Sequence, residues 1–211
     1  MSPVLIGIIV LVVLLIGIGL FVALRGGSTE SRAITKGWGE VATRIKLRFT
    51  PPADNLSEAT LTGTYRQREV AMSIRVHAMI GATGDRRSVI RTDARAFVNN
   101  KLRHYIRFSR KGEYRKTDRF LGTPLQPVGD PELDRRFDIK GIPPNIAKRV
   151  LATSDEFRQR LLALGANEYI EIEVEGTQVH FEQGKLITTS AEVMAVLDFL
   201  NSFASAVENT I

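Results

Sequence analysis

The hydrophobic pattern of the chain begins with an unbroken apolar run of 21 residues that starts at Val4 and ends at Leu24. A helix of that length rises about 31 Å, close to the ~30 Å hydrocarbon thickness of a bilayer. No basic residue precedes the run, and the run is longer than the apolar core of a secretory signal peptide. The pattern therefore predicts an uncleaved transmembrane helix over residues 1–24, through which the chain contacts the lipid bilayer.

Charged residues flank this predicted helix on its C-terminal side only. Cationic residues near a span stay in the cytoplasm, and the first four are Arg25, Arg32, Lys36 and Arg44. We therefore expect a single-pass protein of the cell membrane, with its N-terminus outside and its C-terminal domain in the cytoplasm. Residues 25–37, which contain a Gly-Gly-Ser sequence, predict a flexible juxtamembrane linker.

Alternation of apolar and polar residues dominates the first half of the soluble domain, which is predicted over residues 38–211. This alternation is typical of half-buried strands. Residues 41–49 show it, with Arg and Lys on the polar face, and end at a Pro-Pro pair. Further strands are predicted at 59–66, 70–79, 88–98 and 102–108, with a turn at 81–85 and a short return strand at 113–116.

Helical spacing of apolar residues appears in the second half of the domain. The sequence predicts a brief strand at 137–139, helices at 145–152 and 154–164, a hairpin of 169–175 with 178–182, and a closing helix that ends near Val207. Capping boxes of Thr153 with Glu156 and of Thr189 with Glu192 mark the starts of the last two helices. The predicted fold class is α+β: the N-terminal transmembrane helix is followed by a mainly antiparallel β-sheet that two or three helices cover.

The C-terminal part of the chain carries a resemblance to a known group of proteins. The run Asp130-Pro-Glu-Leu-Asp-Arg-Arg-Phe-Asp-Ile-Lys-Gly141 precedes a helix that contains Leu161 and Leu164, then a hairpin and a closing helix. Over roughly the last 80 residues, this arrangement resembles a family of uncharacterised prokaryotic single-pass membrane-anchored proteins. The resemblance implies a prokaryotic origin. No activity is attached to that group, so the resemblance implies no functional residue.

The net charge of +6 is unevenly distributed along the chain. Residues 66–119 hold 15 Lys and Arg against 5 Asp and Glu, whereas residues 130–211 hold 8 against 14. The domain thus divides into a basic β-rich part, 38–119, and an acidic α/β part, 130–211. Charge asymmetry of this size bears on partners rather than on fold. The chain has no cysteine, so neither a disulfide nor a lipoprotein cysteine is expected.

Six cationic residues in and after the predicted strand at 102–108 are the candidate contact residues: Arg103, Arg107, Arg110, Lys111, Arg115 and Lys116. Four interpretations are open. The six residues form the solvated side of a sheet, a surface for anionic lipid headgroups, a surface for an acidic protein partner, or a phosphate-binding strip for nucleic acid. Nucleic acid is disfavoured, since the aromatic residues among these cations alternate as core residues do.

Motifs for catalysis, cofactors and metals are absent from the sequence, and we predict no such site. The three histidines, His77, His104 and His180, fall on three predicted strands without the spacing of a zinc site. His104 is expected in or beside the core as a hydrogen-bonded residue, and the other two point away from the apolar side. There is no phosphate-binding Gly-Lys-Ser/Thr loop, no Gly-x-Ser-x-Gly elbow and no cysteine nucleophile.

Two groups of carboxylates are spaced two residues apart. Asp130, Glu132 and Asp134 begin like a calcium loop, but the glycine and the final glutamate of such a loop are missing, which predicts a solvated acidic loop. The second group is Glu171, Glu173 and Glu175, on one face of a predicted strand. For this group we expect exposed side chains that pair with Arg or Lys of a neighbouring strand, rather than acid–base chemistry.

These features together predict a membrane-anchored, cytosol-facing module for binding or assembly, without catalytic activity. Its expected partners are another protein in the membrane and, through the basic face of the sheet, anionic lipid headgroups. The alternative is a membrane-tethered, hydrolase-like enzyme whose site is assembled from residues distant in the sequence.

Overall fold

The structure, a computed structural model, describes residues 29–52, 59–80, 86–101, 103–112, 123–164 and 169–210, with the backbone alone at 77–80 and 86–88. Its helices are α1 (Thr29–Ile45), α2 (Pro131–Arg136), α3 (Ile146–Thr153), α4 (Asp155–Ala163) and α5 (Ser190–Glu208). Its strands are β1 (Arg48–Thr50), β2 (Thr60–Tyr65), β3 (Arg68–Ile80), β4 (Arg86–Phe97), β5 (Tyr105–Arg110), β6 (Phe137–Ile142), β7 (Ile170–Glu175) and β8 (Gln178–Gln183). The predicted transmembrane helix, the turn at 81–85 and the strand at 113–116 lie outside the described residues.

The eight strands of the described chain form one antiparallel sheet, in the order β1-β2-β3-β4-β8-β7-β5-β6. The predicted α+β fold with a mainly antiparallel sheet is therefore confirmed. Tight hairpins join β2 to β3 and β7 to β8. The second hairpin turns at Gly176, whose φ of +56° suits a residue without a Cβ. β4 pairs with β8 rather than with β5, so the centre of the sheet joins segments that are distant in the sequence.

Most apolar residues of the strands face the helices. One cross-strand row shows this, and it runs Met72, Ala94, Phe181, Ile172, Phe108 and Ile139, all of them buried. Phe157 of α4 and Phe203 of α5 stack with 4.7 Å between ring centroids, and both rings contact Phe108 edge-on. The core therefore lies between one face of the sheet and the helix layer.

The strand predicted over 41–49 is wrong, because most of this region is helical. α1 buries one face at helical spacing, with Ile34, Trp38, Val41 and Ala42, and β1 starts only at Arg48. The predicted flexible linker over 25–37 is likewise helix from Thr29 onward. The linker was predicted from the Gly-Gly-Ser sequence at 26–28, which lies outside the described residues.

The other described elements follow the predictions, with differences at their ends. The capping box of Thr189 with Glu192 is confirmed, since each side chain bonds the other residue's backbone N–H. The box predicted at Thr153 is wrong: Ser154 caps α4, and the Thr153 hydroxyl donates instead to carbonyl oxygens of α3 and α5. β5 begins at Tyr105 rather than at 102, and the short α2 was not predicted.

Both edges of the sheet are protected. At one edge, β1 is only three residues long. Along the outer side of β6, the backbone N–H of Gln126 donates to the Ile139 carbonyl, and the Gln126 side-chain amide donates to the Gly141 carbonyl. Hydrogen-bonding groups that an open strand edge would expose are therefore occupied.

One helix among the described residues, α5, is long and apolar enough to cross a membrane by length and composition. Most of its large apolar residues, including Val193, Leu197 and Leu200, are buried in the domain. The hydrophobicity of α5 therefore serves the core.

The two glycines of α1 should respond oppositely to alanine. A Cβ at Gly37 would lie 2.0 Å from the Thr188 carbonyl oxygen, whereas a Cβ at Gly39 meets nothing closer than 3.9 Å. We expect Gly39→Ala to raise the free energy of unfolding by up to about 1 kcal/mol and Gly37→Ala to lower it by about 2 kcal/mol. Urea denaturation of the detergent-solubilised chain, followed by the fluorescence of its single tryptophan, Trp38, measures both. Stabilisation by both substitutions would contradict the docking of α1.

Candidate functional site

The face of the sheet that points away from the helices carries ionisable residues from five neighbouring strands. They form two cross-strand rows: Asp93, Glu182, Glu171, Ser109 and Asp138 in one, and Arg95, His180, Glu173, Arg107 and Lys140 in the other. Strand alternation places them there because their neighbours along each strand belong to the core. We refer to these rows, together with Arg75, Arg91 and Tyr169, as the sheet-face network.

Asp93 is the centre of the first part of this network. Its Oδ2 lies 2.6 Å from His180 Nε2 and 3.8 Å from Arg75 Nε, and its Oδ1 lies 3.3 Å from Arg95 Nε. The other ring nitrogen of His180, Nδ1, lies 3.7 Å from a carboxylate oxygen of Glu173. Asp93 is 4% exposed, so these contacts replace most of its hydration.

The surroundings of Asp93 keep it ionised. Burial raises the pKa of its carboxyl, but the hydrogen bond and charge of His180, followed by the charges of Arg95 and Arg75, lower it by more. The pKa of Asp93 therefore lies below the ordinary range of an aspartic acid. The ionised Asp93 in turn holds its cationic neighbours in place.

A second chain of contacts crosses the network from β4 to β5. Arg91 forms an ion pair with Glu182, and its guanidinium lies 4.1 Å from the centroid of the Tyr169 ring. The Tyr169 hydroxyl donates to Glu171 at 2.6 Å, and Glu171 lies 3.0 Å from the guanidinium of Arg107. A cation–π contact, a hydrogen bond and ion pairs thus link four neighbouring strands, β4, β8, β7 and β5.

The network could hold a metal ion only by giving up its ion pairs. Asp93, His180 and Glu182 offer ligand atoms within 4.8 Å of one another, a spacing compatible with a bound cation. Arg91 already neutralises Glu182, and two further arginines neutralise Asp93. A divalent cation would bring its charge close to three guanidinium groups. The arrangement favours a structural ion-pair network, and we assign no metal site.

A cleft of about 260 Å³ lies on the opposite side of the sheet, between α4, α5 and the segment after β8. Its walls include Leu164, Ile187, Val196 and Phe199. At the rim, Lys185 Nζ lies 2.8 Å from Glu192. Partial burial raises the pKa of Glu192, but the contacts with Lys185 and Thr189 outweigh it and lower that pKa to about 2. The cleft is thus apolar inside, with a neutralised ion pair at its mouth.

The six predicted contact residues do not form one surface. Arg107 is buried in the sheet-face network, so its prediction as a surface contact is wrong. Arg103 is exposed before β5 at one end of the sheet, whereas Arg110 ends β5 about 17 Å further along, next to the exposed Lys111. Arg115 and Lys116 lie outside the described residues.

The first predicted carboxylate group is structural rather than solvated. Asp130 caps α2 by accepting from two backbone N–H groups of its first turn, and it lies 2.6 Å from Arg158. Asp134 accepts from the backbone N–H groups of Val128 and Gly129. The prediction of a solvated acidic loop is therefore wrong for Asp130 and Asp134, whose carboxylates accept from backbone N–H groups, whereas the Glu132 side chain is exposed as predicted.

The second carboxylate group is partly as predicted. Glu171 pairs with Arg107 of the neighbouring strand β5, which confirms the cross-strand pairing. Glu171 is nevertheless buried, so the prediction that it is exposed is wrong. The neighbouring strands crowd around it because β7 lies in the interior of the sheet, not at its edge.

The described histidines occupy the predicted sides of the sheet. His180 belongs to the sheet-face network, and His104 is buried. Burial lowers the pKa of His104, and the charge of Arg149 lowers it further. The backbone of His104 bonds the Asn100 side chain, but its ring Nδ1 has no hydrogen-bond partner among the described residues. The side chain of His77 lies outside the described residues.

Arg107 and Arg103 should differ in their effect on stability. Arg107→Met removes the guanidinium that pairs with the buried carboxylate of Glu171, and we expect the free energy of unfolding to fall by about 3 kcal/mol. Arg103→Met removes an exposed cation and should change it by less than about 0.5 kcal/mol. Urea denaturation of both variants makes the comparison, and equal effects would contradict a structural role for Arg107.

Asp93 should stabilise the fold only when it is ionised. Its pKa is lower in the folded state, so its stabilisation is complete above the unfolded-state pKa of about 3.9 and is lost as the pH falls through the folded-state value. We expect Asp93→Asn to lower the free energy of unfolding by about 2 kcal/mol near neutral pH, and the difference from the unmodified chain to shrink in acid. Glu40→Gln, at an exposed position of α1, is the control. A difference that persists unchanged in acid would contradict this role.

The fold is similar to that of a solved structure, although the sequences are dissimilar. No family model matches this chain, and no curated protein matches it by sequence. The crystal structure of the mycobacterial trehalose monomycolate transport factor A, TtfA, matches with a TM-score of 0.57 over 83% of this chain and 95% of that chain, at 10% identity. At this identity the likeness is one of fold alone.

Proposed function

We propose that this chain is a membrane-tethered, non-catalytic binding or assembly module whose globular domain faces the cytosol. The predicted span, residues 4–24, is the tether. The expected partner is another protein of a membrane assembly, contacted through side chains of the globular domain.

One observation carries the non-catalytic part of this proposal. The converging ionisable residues and the cleft of the described chain lie on opposite sides of the sheet. The sheet-face network has the titratable groups, but they are engaged with one another; the cleft has the volume, but its walls are mainly apolar. An enzyme site needs both in one place, around a bound substrate.

The likeness in fold to TtfA also supports the proposal of a binding or assembly module. That protein is named as a trehalose monomycolate transport factor. A domain of the same fold, with a predicted membrane span before it, suits a role in transport or assembly at a membrane. We carry over neither its cargo nor its partners.

One observation favours a second candidate, a membrane-tethered hydrolase-like enzyme. The 2.6 Å contact between Asp93 and His180 is the kind of contact by which a carboxylate orients an imidazole base. In that case, substitution of His180 by Gln should abolish turnover of a substrate while leaving the fold intact. Under our proposal, the same substitution affects stability and no catalytic rate.

The tether is testable by fractionation of cells that produce the full chain. We expect the chain in the membrane pellet after an alkaline carbonate wash, and a cytosol-only reporter at its C-terminus to be active. The matched control is Leu14→Arg with Leu15→Arg, which adds roughly 5–7 kcal/mol to the insertion of the span and should move the chain to the soluble fraction. A soluble unmodified chain would refute the tether, and a silent reporter would reverse the orientation.

The binding role is testable by purification of the full chain in mild detergent and identification of what co-purifies. We expect a membrane protein in stoichiometric amount, lost when the purification starts from the Leu14→Arg, Leu15→Arg variant. Recovery of the chain alone with a bound small metabolite would favour the enzyme instead.

A further inference from the structure

The cleft on the helix side lies where the side chains between α4 and α5 become small. At one end of this helix pair, Phe157 of α4 stacks on Phe203 of α5 with 4.7 Å between ring centroids. Toward the other end, α4 contributes Ala163 and α5 contributes Ala195, both exposed, to the lining of the cleft. Alanine side chains are too short to close the gap between the two helices, so the core beneath them lines an open cleft.

The inside of the cleft has room for one linear apolar ligand. Ile187, Val196 and Phe199 line it and belong to the buried core, and Gln183 is a buried polar residue beside them. The volume of the cleft is about 260 Å³. An apolar cavity of about 150 Å³ holds benzene, so this volume corresponds to roughly ten carbon atoms. The cleft therefore fits part of one acyl chain and is too small for two.

Charges of both signs surround the mouth of the cleft. Lys185 Nζ lies 2.8 Å from Glu192, and the guanidinium of Arg160 lies 3.0 Å from Glu156 and 3.9 Å from Asp198. The side chains of Lys185 and Arg160 are 46% and 31% exposed, so water weakens these pairs and allows them to exchange partners. A headgroup that carries both charges can contact a cation and a carboxylate together. A purely anionic headgroup leaves carboxylates of the mouth facing its own charge.

The cleft lies near the point where the predicted span joins the domain. Ile187 lines the cleft, and its carbonyl oxygen accepts from Trp38 Nε1 of α1 at 2.9 Å. α1 starts nine residues before Trp38, which corresponds to about 13 Å of helix. The segment from Leu24 to Thr29 bridges at most about 18 Å. The end of the predicted span therefore lies no more than roughly 35 Å from this wall of the cleft.

We propose that the cleft binds the acyl chain of a single-chain lipid with a zwitterionic head, taken from the bilayer that holds the tether. The chain lies against Ile187, Val196 and Phe199, and the head lies among the charges at the mouth. The tether keeps the domain beside the bilayer, so the local concentration of lipid is high. A lipid with one chain leaves a bilayer more readily than a lipid with two, because less apolar surface is removed from the membrane. This inference rests on the membrane tether proposed above.

The experiment reconstitutes the full chain in phosphatidylcholine nanodiscs that contain a small fraction of lysophosphatidylcholine with a photoreactive diazirine near the end of its acyl chain. After illumination, mass spectrometry of peptides locates the labelled residues. We expect label in the predicted span, which lies in the lipid, and also in the wall of the cleft, at Leu164, Val196 or Phe199. Lysophosphatidylglycerol with the same diazirine is anionic and should label the cleft at least about threefold less.

Two separate substitutions, Ala163→Leu and Ala195→Leu, fill the cleft from either helix. We expect each to reduce the labelling of the cleft by at least about fivefold, because the acyl chain then overfills the space, and to leave the labelling of the span unchanged. Ala152→Leu, at an exposed alanine of α3 outside the lining of the cleft, is the matched control and should change neither. Urea denaturation followed by Trp38 fluorescence verifies that each variant is folded, and the midpoint should not fall.

The outcomes separate this inference from the tether. Label in the span without label in the cleft overturns the inference and leaves the tether standing, whereas label in neither region overturns both. Cleft labelling that persists in full in both filled variants shows that the lipid does not occupy the cleft. Equal labelling by the zwitterionic and the anionic probe overturns the preference for a zwitterionic head. A cleft that a co-purified protein shields from the probe is assigned to a side chain of that protein instead.

Discussion

Helices cover one face of the sheet, so the polar side chains on the other face must find their partners among themselves. Strand alternation sends every second residue of the central strands to that open face, where neighbouring strands crowd the side chains and limit their hydration. Asp93, Glu171 and Arg107 are each less than a tenth exposed, and each lies in an ion pair. The sheet-face network is thus the polar counterpart of the aromatic core on the other side. Its charges are committed to one another, which is why a concentration of titratable groups does not by itself amount to an active site.

The packing of α1 against α5 and the residues just before it fixes the direction from which the chain enters the domain. Gly37 allows the backbone of α1 to approach the Thr188 carbonyl, and Trp38 adds a side-chain hydrogen bond beside it. α1 precedes the first strand in the sequence, yet these contacts pack it against the rest of the domain. It is therefore part of the globular domain and not a spacer in front of it. Any tether that precedes α1 is therefore coupled to the orientation of the sheet.

Much of the fold could be predicted from the sequence, because strand alternation and helix caps are local signals. Apolar and polar residues alternate clearly in β3, β4, β7 and β8, and the capping box of Thr189 with Glu192 marks the start of α5. The strand predicted over residues 41–49 was wrong because their apolar positions also fit a period of two. The contacts of α1 with the domain are not visible in the local pattern: the Trp38 side chain, for example, donates to a carbonyl 149 residues away. The sheet-face network was harder to predict from the sequence than the fold. An alternation of Arg91, Asp93 and Arg95 is visible in the sequence, but the partner of Asp93 is 87 residues distant, and only the pairing of β4 with β8 brings it near.

The protected sheet edges determine how neighbouring copies of such a domain can meet. Confinement to a membrane plane raises the effective concentration of like molecules, and an open strand would then act as a template for indiscriminate polymerisation. The brevity of β1 and the Gln126 contacts on β6 remove that template at the two outermost strands of the sheet. At these two strands, recognition between molecules is left to side chains, whose shape and charge differ from one protein to the next, so selectivity there is a property of the architecture.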